Sequence, residues 1–188
     1  MTDDIKLRFS EAMAGNWLDE DNNFQLQGVT NEAGFTPSSS LYFAGTEEQS
    51  VRSQALRGLA ITDLTVDMMI RPEETDKEMA LFAHGDSLYS LELVLTNDKR
   101  LKAVLKSEKN QPVIAYSKPM QTLSTSDFTR VIMVYDFDNY TIRFYAGTSD
   151  ISEHTNVSPW MIQNGACPIV IGKSLDGTGA FHGNMTEV

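Results

Sequence analysis

Cysteine is almost absent from this 188-residue chain, Cys167 being its single representative. One thiol cannot close an internal disulfide, so the fold must rest on its apolar core. That suits a cytosolic, viral or bacterial protein better than a small disulfide-stapled animal domain, without barring export. Positive charge is scarce as well: 15 Lys and Arg stand against 26 Asp and Glu, a formal net charge of -11. A chain without clustered cations is poorly made to neutralise phosphates, which argues against nucleic acid as a partner. No apolar run is long enough to cross a bilayer, and residues 1–30 contain no run of signal-peptide type, so membrane insertion is not expected. Helical periodicity is nearly missing, and there are no heptads, tandem repeats or low-complexity tracts.

What is present is period-two hydrophobicity. With 41% hydrophobic residues the chain can bury a substantial core as one domain over residues 1–188, of which 1–37 is the loop-rich and least readable part. Within it, Ile5 to Phe9 alternates as a short strand, and SEAMAGNW has the makings of one helical turn. The clearest stretch is FTRVIMVYDFDNYTIRFYAG, Phe128 to Gly147, two apolar runs folded back through Asp138-Asn139, residue types that tolerate the positive φ of a tight hairpin turn. Pairing outward from that turn puts Phe137 opposite Tyr140, Tyr135 opposite Ile142, Met133 opposite Phe144 and Val131 opposite Ala146 on one apolar face. The other face carries Asp136, Thr141, Val134, Arg143, Ile132, Tyr145 and Arg130. A slip of one residue would scramble both faces, which fixes the register.

Other strands follow the same logic. Ser40 to Ala44 and Val51 to Leu56 flank a turn at residues 45–48, and Leu64, Val66, Met68 and Ile70 alternate with polar neighbours up to Pro72. Met79 to His84, Leu88 to Leu95 and Leu101 to Lys106 come next. A three-residue loop, Asn97-Asp98-Lys99, sets Leu95 opposite Leu101, Leu93 opposite Ala103 and Leu91 opposite Leu105, whereas a two-residue loop would mix Leu with Lys and Arg. Val113 to Ser117 precedes the central hairpin. A long loop from Thr148 to Cys167, a strand Ile169 to Gly172, a Gly-rich turn at 176–179 and a final strand from Phe181 complete the chain. Short strands at this spacing predict an all-β antiparallel two-sheet sandwich.

Four stretches in order, SSLYFAGTEEQSV (Ser39 to Val51), LAITDLTVDMMIRPEE (Leu59 to Glu74), RVIMVYDFDNYTIRFYAG (Arg130 to Gly147) and IVIGKSLDGTGAFHGNMTEV (Ile169 to Val188), resemble the laminin G-like branch of the concanavalin A-like lectin and glucanase superfamily. The resemblance implies a jelly-roll sandwich that binds glycans or proteins, cleaves polysaccharides, or serves as a module on surface or virion proteins. It favours an extracellular, cell-surface or virion setting. The family's last motif has Asp where Thr186 stands and runs beyond Val188, so the last strand is expected to be incomplete or finished by another segment.

Catalysis is not expected. The superfamily's glucanases carry E-x-D-x-x-E on one strand, and no such triplet occurs; Asp67, Glu92 and Asp136 are the carboxylates placed to share an outer face. The legume-lectin metal pattern begins at Asp136-x-Asp138 but fails at Ile142. No G-x-S-x-G, H-E-x-x-H or phosphate-binding loop is present, and His84, His154 and His182 read as surface or core residues. No cofactor is required. For calcium, the oxygen-rich candidates are Asp19 and Asp21 in an acidic run and Asp176 in the Gly-rich turn. For a glycan, which needs an aromatic platform with polar neighbours, the first candidate is the loop holding Trp160 with His154, Asn156 and Asn164. The second is the outer face of the central hairpin, with Arg143 and Tyr145. The expected role is a non-catalytic, carbohydrate-binding module. The alternatives are a structural or interaction protein, such as a phage tail, fibre or capsid decoration component assembling as an oligomer, and a polysaccharide hydrolase or lyase.

Overall fold

The computed structural model describes residues 24–27, 30–31, 40–53, 63–86, 89–107, 110–157 and 167–186. Among them there is no helix, and hence none long and apolar enough to cross a membrane. The strands are β1 (Phe24–Gln27), β2 (Thr30–Asn31), β3 (Leu41–Ala44), β4 (Ser50–Ser53) and β5 (Leu64–Pro72). They continue with β6 (Met79–Gly85), β7 (Ser90–Leu95), β8 (Leu101–Ser107), β9 (Asn110–Ser117) and β10 (Thr129–Asp136). The last are β11 (Thr141–Ala146), β12 (Ser149–Asp150), β13 (Ser152–His154), β14 (Ile169–Ile171) and β15 (His182–Thr186). Eight form one sheet in the order β1, β4, β14, β6, β7, β8, β9, β13, and seven form the other in the order β12, β11, β10, β5, β15, β3, β2. The expected all-β jelly-roll sandwich is what the chain adopts.

Alternation dictates which side of each strand meets the core. Val66, Met68 and Ile70 of β5, Val131, Met133 and Tyr135 of β10, and Ile142 and Phe144 of β11 are buried between the sheets. Leu91, Leu93 and Leu95 of β7 face them from the other sheet. The β7/β8 register is the expected one, Leu95 with Leu101 and Leu91 with Leu105. Lys99 closes the three-residue loop at φ 62, its N–H donating to Thr96 O at 3.0 Å. The β10/β11 register is also as expected, but its turn is built differently. The positive φ falls on Tyr140, at 51°, while Asp136 accepts from the Asn139 N–H at 3.0 Å and from its side-chain amide at 2.8 Å. The left-handed residue closes a four-residue turn over Phe137 to Tyr140, which preserves the same strand pairing.

Three expectations need correction. The stretch from Thr148 to Cys167 is no plain loop: it contains β12 and β13 and a bridge from Asn156 to Thr141. The N-terminal part, expected to be loop, contains β1 and β2; the strand at Ile5 to Phe9 and the turn after it lie outside the described residues. The final strand is not left open, because β15 pairs with β3 on one side and β5 on the other.

The edges carry the most unusual feature. β1 and β13 border the eight-stranded sheet, β2 and β12 the seven-stranded one. Yet β1 and β2 belong to one segment, residues 24–31, and β12 and β13 to another, 149–157. In the second, Ile151 donates to Phe144 O at 2.9 Å and accepts from Lys118 N–H at 2.6 Å, so one residue bonds to both sheets. Beyond β13 the segment returns to β11, Thr155 O accepting from Ile142 at 2.8 Å. The strap at 149–157 thus bonds to both sheets, while β13 covers only Tyr116 and Ser117 of the eight residues of β9.

Candidate functional site

The expected glycan residues fall on opposite sides of the sandwich. Arg143 and Tyr145 point outward from the seven-stranded sheet. Tyr145 has Ile132 on one side and Asp150 on the other, and Arg143 is opposite Val134. The charges here are balanced within the face. Asp67 takes both ends of the Arg130 guanidinium, Nε donating at 2.9 Å and Nη2 at 2.5 Å. Asp136 is held below the usual carboxylate range mainly by the Asn139 amide, and Asp150 mainly by Ser152, with Arg143 adding its charge to each. His154, by contrast, lies on β13 opposite Tyr116, on the outer side of the eight-stranded sheet. Asn156 stands across from Thr141 where β11 begins. Trp160 and Asn164 lie outside the described residues.

Neither of the other expected clusters forms. Asp67 and Asp136 belong to the seven-stranded sheet and Glu92 to the eight-stranded one, so the three carboxylates do not share a face. Asp176 is engaged within its own turn: Oδ1 accepts from Thr178 Oγ1 at 2.7 Å and from Thr178 N–H at 2.9 Å, which lowers its pKa. Asp19 and Asp21 lie outside the described residues, among which no group of three or more His, Cys, Asp or Glu is arranged to hold a metal. His182 is more connected than expected, its Nε2 lying 2.9 Å from Glu73 and its Nδ1 2.9 Å from Glu74. Its two nitrogens point to different carboxylates, which ties loop 73–78 to β15. His84 is a core residue, with Nδ1 donating to Pro168 O at 3.1 Å and a buried Nε2 left without a partner.

A site that the sequence reading did not assemble lies on the outer side of the eight-stranded sheet. Pairing places Glu92, Val104 and Ile114 in one row across β7, β8 and β9, and Lys102, Tyr116 and His154 in the next across β8, β9 and β13. Paired residues project to the same face. Continuing the first row, Ala83 of β6 and Val170 of β14 are buried although they too face outward. The face is thus covered over β6 and β14 and at Ser90 and Val94 of β7, and it opens at Glu92 and over β8 and β9, a floor about 10 Å across three strands. Ile114 is 43% exposed on it. Loop 173–180 abuts the covered part, Gly179 O accepting from Ala80 N–H at 2.7 Å. From there the Asp176 carboxylate feels the charge of Lys106 at the far end of β8.

The polar groups of this floor are in unequal states. Lys102 Nζ lies 2.5 Å from Glu78 Oε2, and 15% of the Lys102 side chain is exposed. Glu92, Tyr116 and His154 make no side-chain hydrogen bond or ion pair with any described residue. A half-buried carboxylate, a phenol and an imidazole without partners, set among Val104 and Ile114, present the mixture of apolar surface and free hydrogen-bonding groups that a polar ligand requires. The signal was present in the sequence as Glu92 between Leu91 and Leu93, and as Ile114 and Tyr116 on either side of Ala115. What was missing was the knowledge that these alternate positions adjoin.

Comparison with known proteins bears on the whole chain. A family model described as the concanavalin A-like lectin/glucanases superfamily, of laminin G type, matches residues 44–188. No curated protein matches the sequence. Among solved structures, domain 4 of AbnA, a GH43 extracellular arabinanase from Geobacillus stearothermophilus in complex with arabinotriose, is similar at TM-score 0.66. It is 15% identical over 89% of this chain and 82% of that one. The native heptameric SAP-like pentraxin from Limulus polyphemus gives TM-score 0.58 at 18% identity, over 78% of this chain and 72% of that one. The CBM40 of a Ruminococcus gnavus IT-sialidase, bound to α2,3-sialyllactose, gives 0.55 at 12% identity, over 72% and 90%. At these identities the shared property is the fold, that of lectin-like binding domains.

Proposed function

This chain belongs to the concanavalin A-like lectin/glucanases superfamily, and from that premise we propose that it is a non-catalytic recognition module whose ligand is carbohydrate, held on the open floor of β7, β8 and β9. The observation that carries the reading is that Glu92, Tyr116 and His154 stand on one face without side-chain hydrogen-bond or ion-pair partners among the described residues. Unpartnered groups on a sheet face gain most from a ligand rich in hydroxyls, which both donate and accept. Tyr116 supplies the aromatic surface against which a sugar ring packs. Solved domains of the same fold in complex with arabinotriose and with α2,3-sialyllactose support this class of ligand. The trio Asp67, Asp136 and Glu92 does not supply the paired carboxyls that hydrolysis needs within about 5–9.5 Å, since Glu92 lies on the opposite face and Asp136 is four residues along β10 from Ile132, the partner of Asp67.

The experiment is a glycan array followed by calorimetry on Tyr116→Ala and Tyr145→Ala. Binding lost in Tyr116→Ala and kept in Tyr145→Ala fits the proposed floor. The reverse result moves the site to the hairpin face with Arg143 and Tyr145. An array that captures no glycan rejects the carbohydrate reading and leaves protein contact, in an oligomer or a larger particle, as the role to pursue. Binding on this floor calls for no metal. The calcium expected at Asp19, Asp21 and Asp176 is tested separately, by metal analysis and by melting with and without chelator.

A further inference from the structure

Resting on the carbohydrate reading of this floor, we infer a narrower property: the site selects neutral glycans, and Glu92 is the residue that imposes the selection. Lys102 and Lys106 are two residues either side of Val104, the cross-strand partner of Glu92, so they occupy the two diagonals around it. The Lys102 ammonium is committed to Glu78 at 2.5 Å, and the charge of Lys106 acts on Asp176. The Glu92 side chain has no hydrogen bond or ion pair with any described residue. Three carboxylates, Glu78, Glu92 and Asp176, therefore stand with two ammonium groups, in a chain whose formal net charge is -11. Among the described residues, the other titratable side chains in these rows of the face are Tyr116, two strands from Glu92 and about 10 Å or more away, and Arg52 and His154, each three strands away, about 14 Å or more.

The uncompensated charge on the floor is thus negative, and it belongs to a group that lacks donors. An ionised carboxylate accepts only, through two oxygens, and charge-assisted hydrogen bonds are the strong ones. Neighbouring hydroxyls of a neutral sugar supply two such donors side by side. A sialic or uronic acid or a sulfate brings more acceptors and a second negative charge into a partly desolvated site, where like charges repel with little screening.

The test uses an array that holds neutral, sialylated, sulfated and uronate glycans, then titration of the best-bound glycan into wild type, Glu92→Gln and Glu92→Lys. The expected set of ligands is neutral. Glu92→Gln keeps the shape and removes the charge, and is expected to weaken binding about 10- to 100-fold, the range of one charge-assisted hydrogen bond. Glu92→Lys is expected to lose the neutral ligand and gain anionic ones. Because Glu92 has no partner to lose, both variants are expected to melt with wild type; should Glu92→Lys fail to fold, Glu92→Gln decides. Preferential capture of sialylated or sulfated glycans, or Glu92→Gln binding within twofold of wild type, overturns the selection while leaving the carbohydrate reading standing. Capture of nothing overturns both.

Discussion

Gly172 offers the sharpest check on the packing between the sheets. It follows β14 at φ 88, and a Cβ placed on it would lie 2.3 Å from Phe43 Cε1 and 2.6 Å from Cδ1. The Phe43 ring has nowhere to retreat: it is 1% exposed and meets Phe181 edge-on, with centroids 6.0 Å apart at 82°. Gly172→Ala is therefore penalised twice. A left-handed backbone costs a residue with a Cβ about 1–2 kcal/mol, and forcing a methyl into a filled core costs about 1–3 kcal/mol more. The sum, about 2–5 kcal/mol, is a large part of the 5–15 kcal/mol typical of a domain's whole stability. At roughly 2–4 °C per kcal/mol for a chain of this size, a loss of about 3 kcal/mol lowers the melting temperature by about 6–12 °C. Urea denaturation followed by circular dichroism measures it, in wild type, Gly172→Ala, Phe43→Leu and the double variant. Replacing the ring with a smaller, branched side chain relieves the collision but not the backbone, so Gly172→Ala is expected to cost only about 1–2 kcal/mol beside Leu at position 43. A cost under about 1 kcal/mol in the wild-type background, or an equal cost in both backgrounds, refutes the steric account.

Lys99 makes the opposite case, since its side chain is exposed and its φ is 62. Lys99→Gly relieves the backbone while leaving the bonds from Lys99 N–H to Thr96 O and from Met120 N–H to Lys99 O in place. It is expected to stabilise by about 0.5–1 kcal/mol, part of the gain being offset by the freer unfolded chain; an unchanged or lower melting temperature contradicts this. His84 governs a pH dependence. Burial lowers its pKa, with the Pro168 carbonyl acting weakly in the other direction. The folded protein thus keeps the imidazole neutral where the unfolded chain takes up a proton. The corresponding stability is present above the ordinary histidine range and is lost as pH falls through it, by at most about 1.4 kcal/mol per pH unit. His84→Met is expected to flatten the stability curve between about pH 7 and pH 5, and parallel curves for the two proteins reject the assignment.

Local pairing was legible because period two leaves one acceptable register. Leu91, Leu93 and Leu95 specify both their own face and the length of the loop that precedes Leu101, and Tyr135 with Ile142 did the same for the central hairpin even though the left-handed residue of its turn is Tyr140. Sheet order was not legible in this way. β3 and β4 are separated by five residues, Gly45 to Gln49, yet enter different sheets. Their partners, β15 and β14, lie more than a hundred residues away. The strap at 149–157 carried no alternation to read, because its backbone serves two sheets in turn and its side chains need satisfy neither. The floor was illegible for a related reason. Glu92 and Tyr116 look like ordinary outward residues of their strands, and their lack of side-chain partners among the described residues is a property of everything around them.

The short edge strands bear on how this molecule can recognise a ligand. A sandwich with a free edge can take up an extended peptide by adding it as a strand, with affinity drawn from main-chain hydrogen bonds. Here the edge positions are held by very short strands, β1 and β13 on one sheet and β2 and β12 on the other, which blunts such addition and favours side chains on a face or loops. On the seven-stranded sheet the charges answer one another: Asp67 holds Arg130, Arg71 donates to Asn184 at 2.6 Å, and Arg143 stands near Asp136 and Asp150. On the eight-stranded sheet β6 is buried on both sides, as is Val170 of β14, and the open part begins at β7. Covering β6 therefore leaves unmet hydrogen-bonding capacity, among the described residues, on the row from Glu92 to Ile114 and its neighbour from Lys102 to His154. A ligand bound there gains hydrogen bonds that the folded chain does not make for itself, whereas a ligand on the opposite face must first displace bonds already formed.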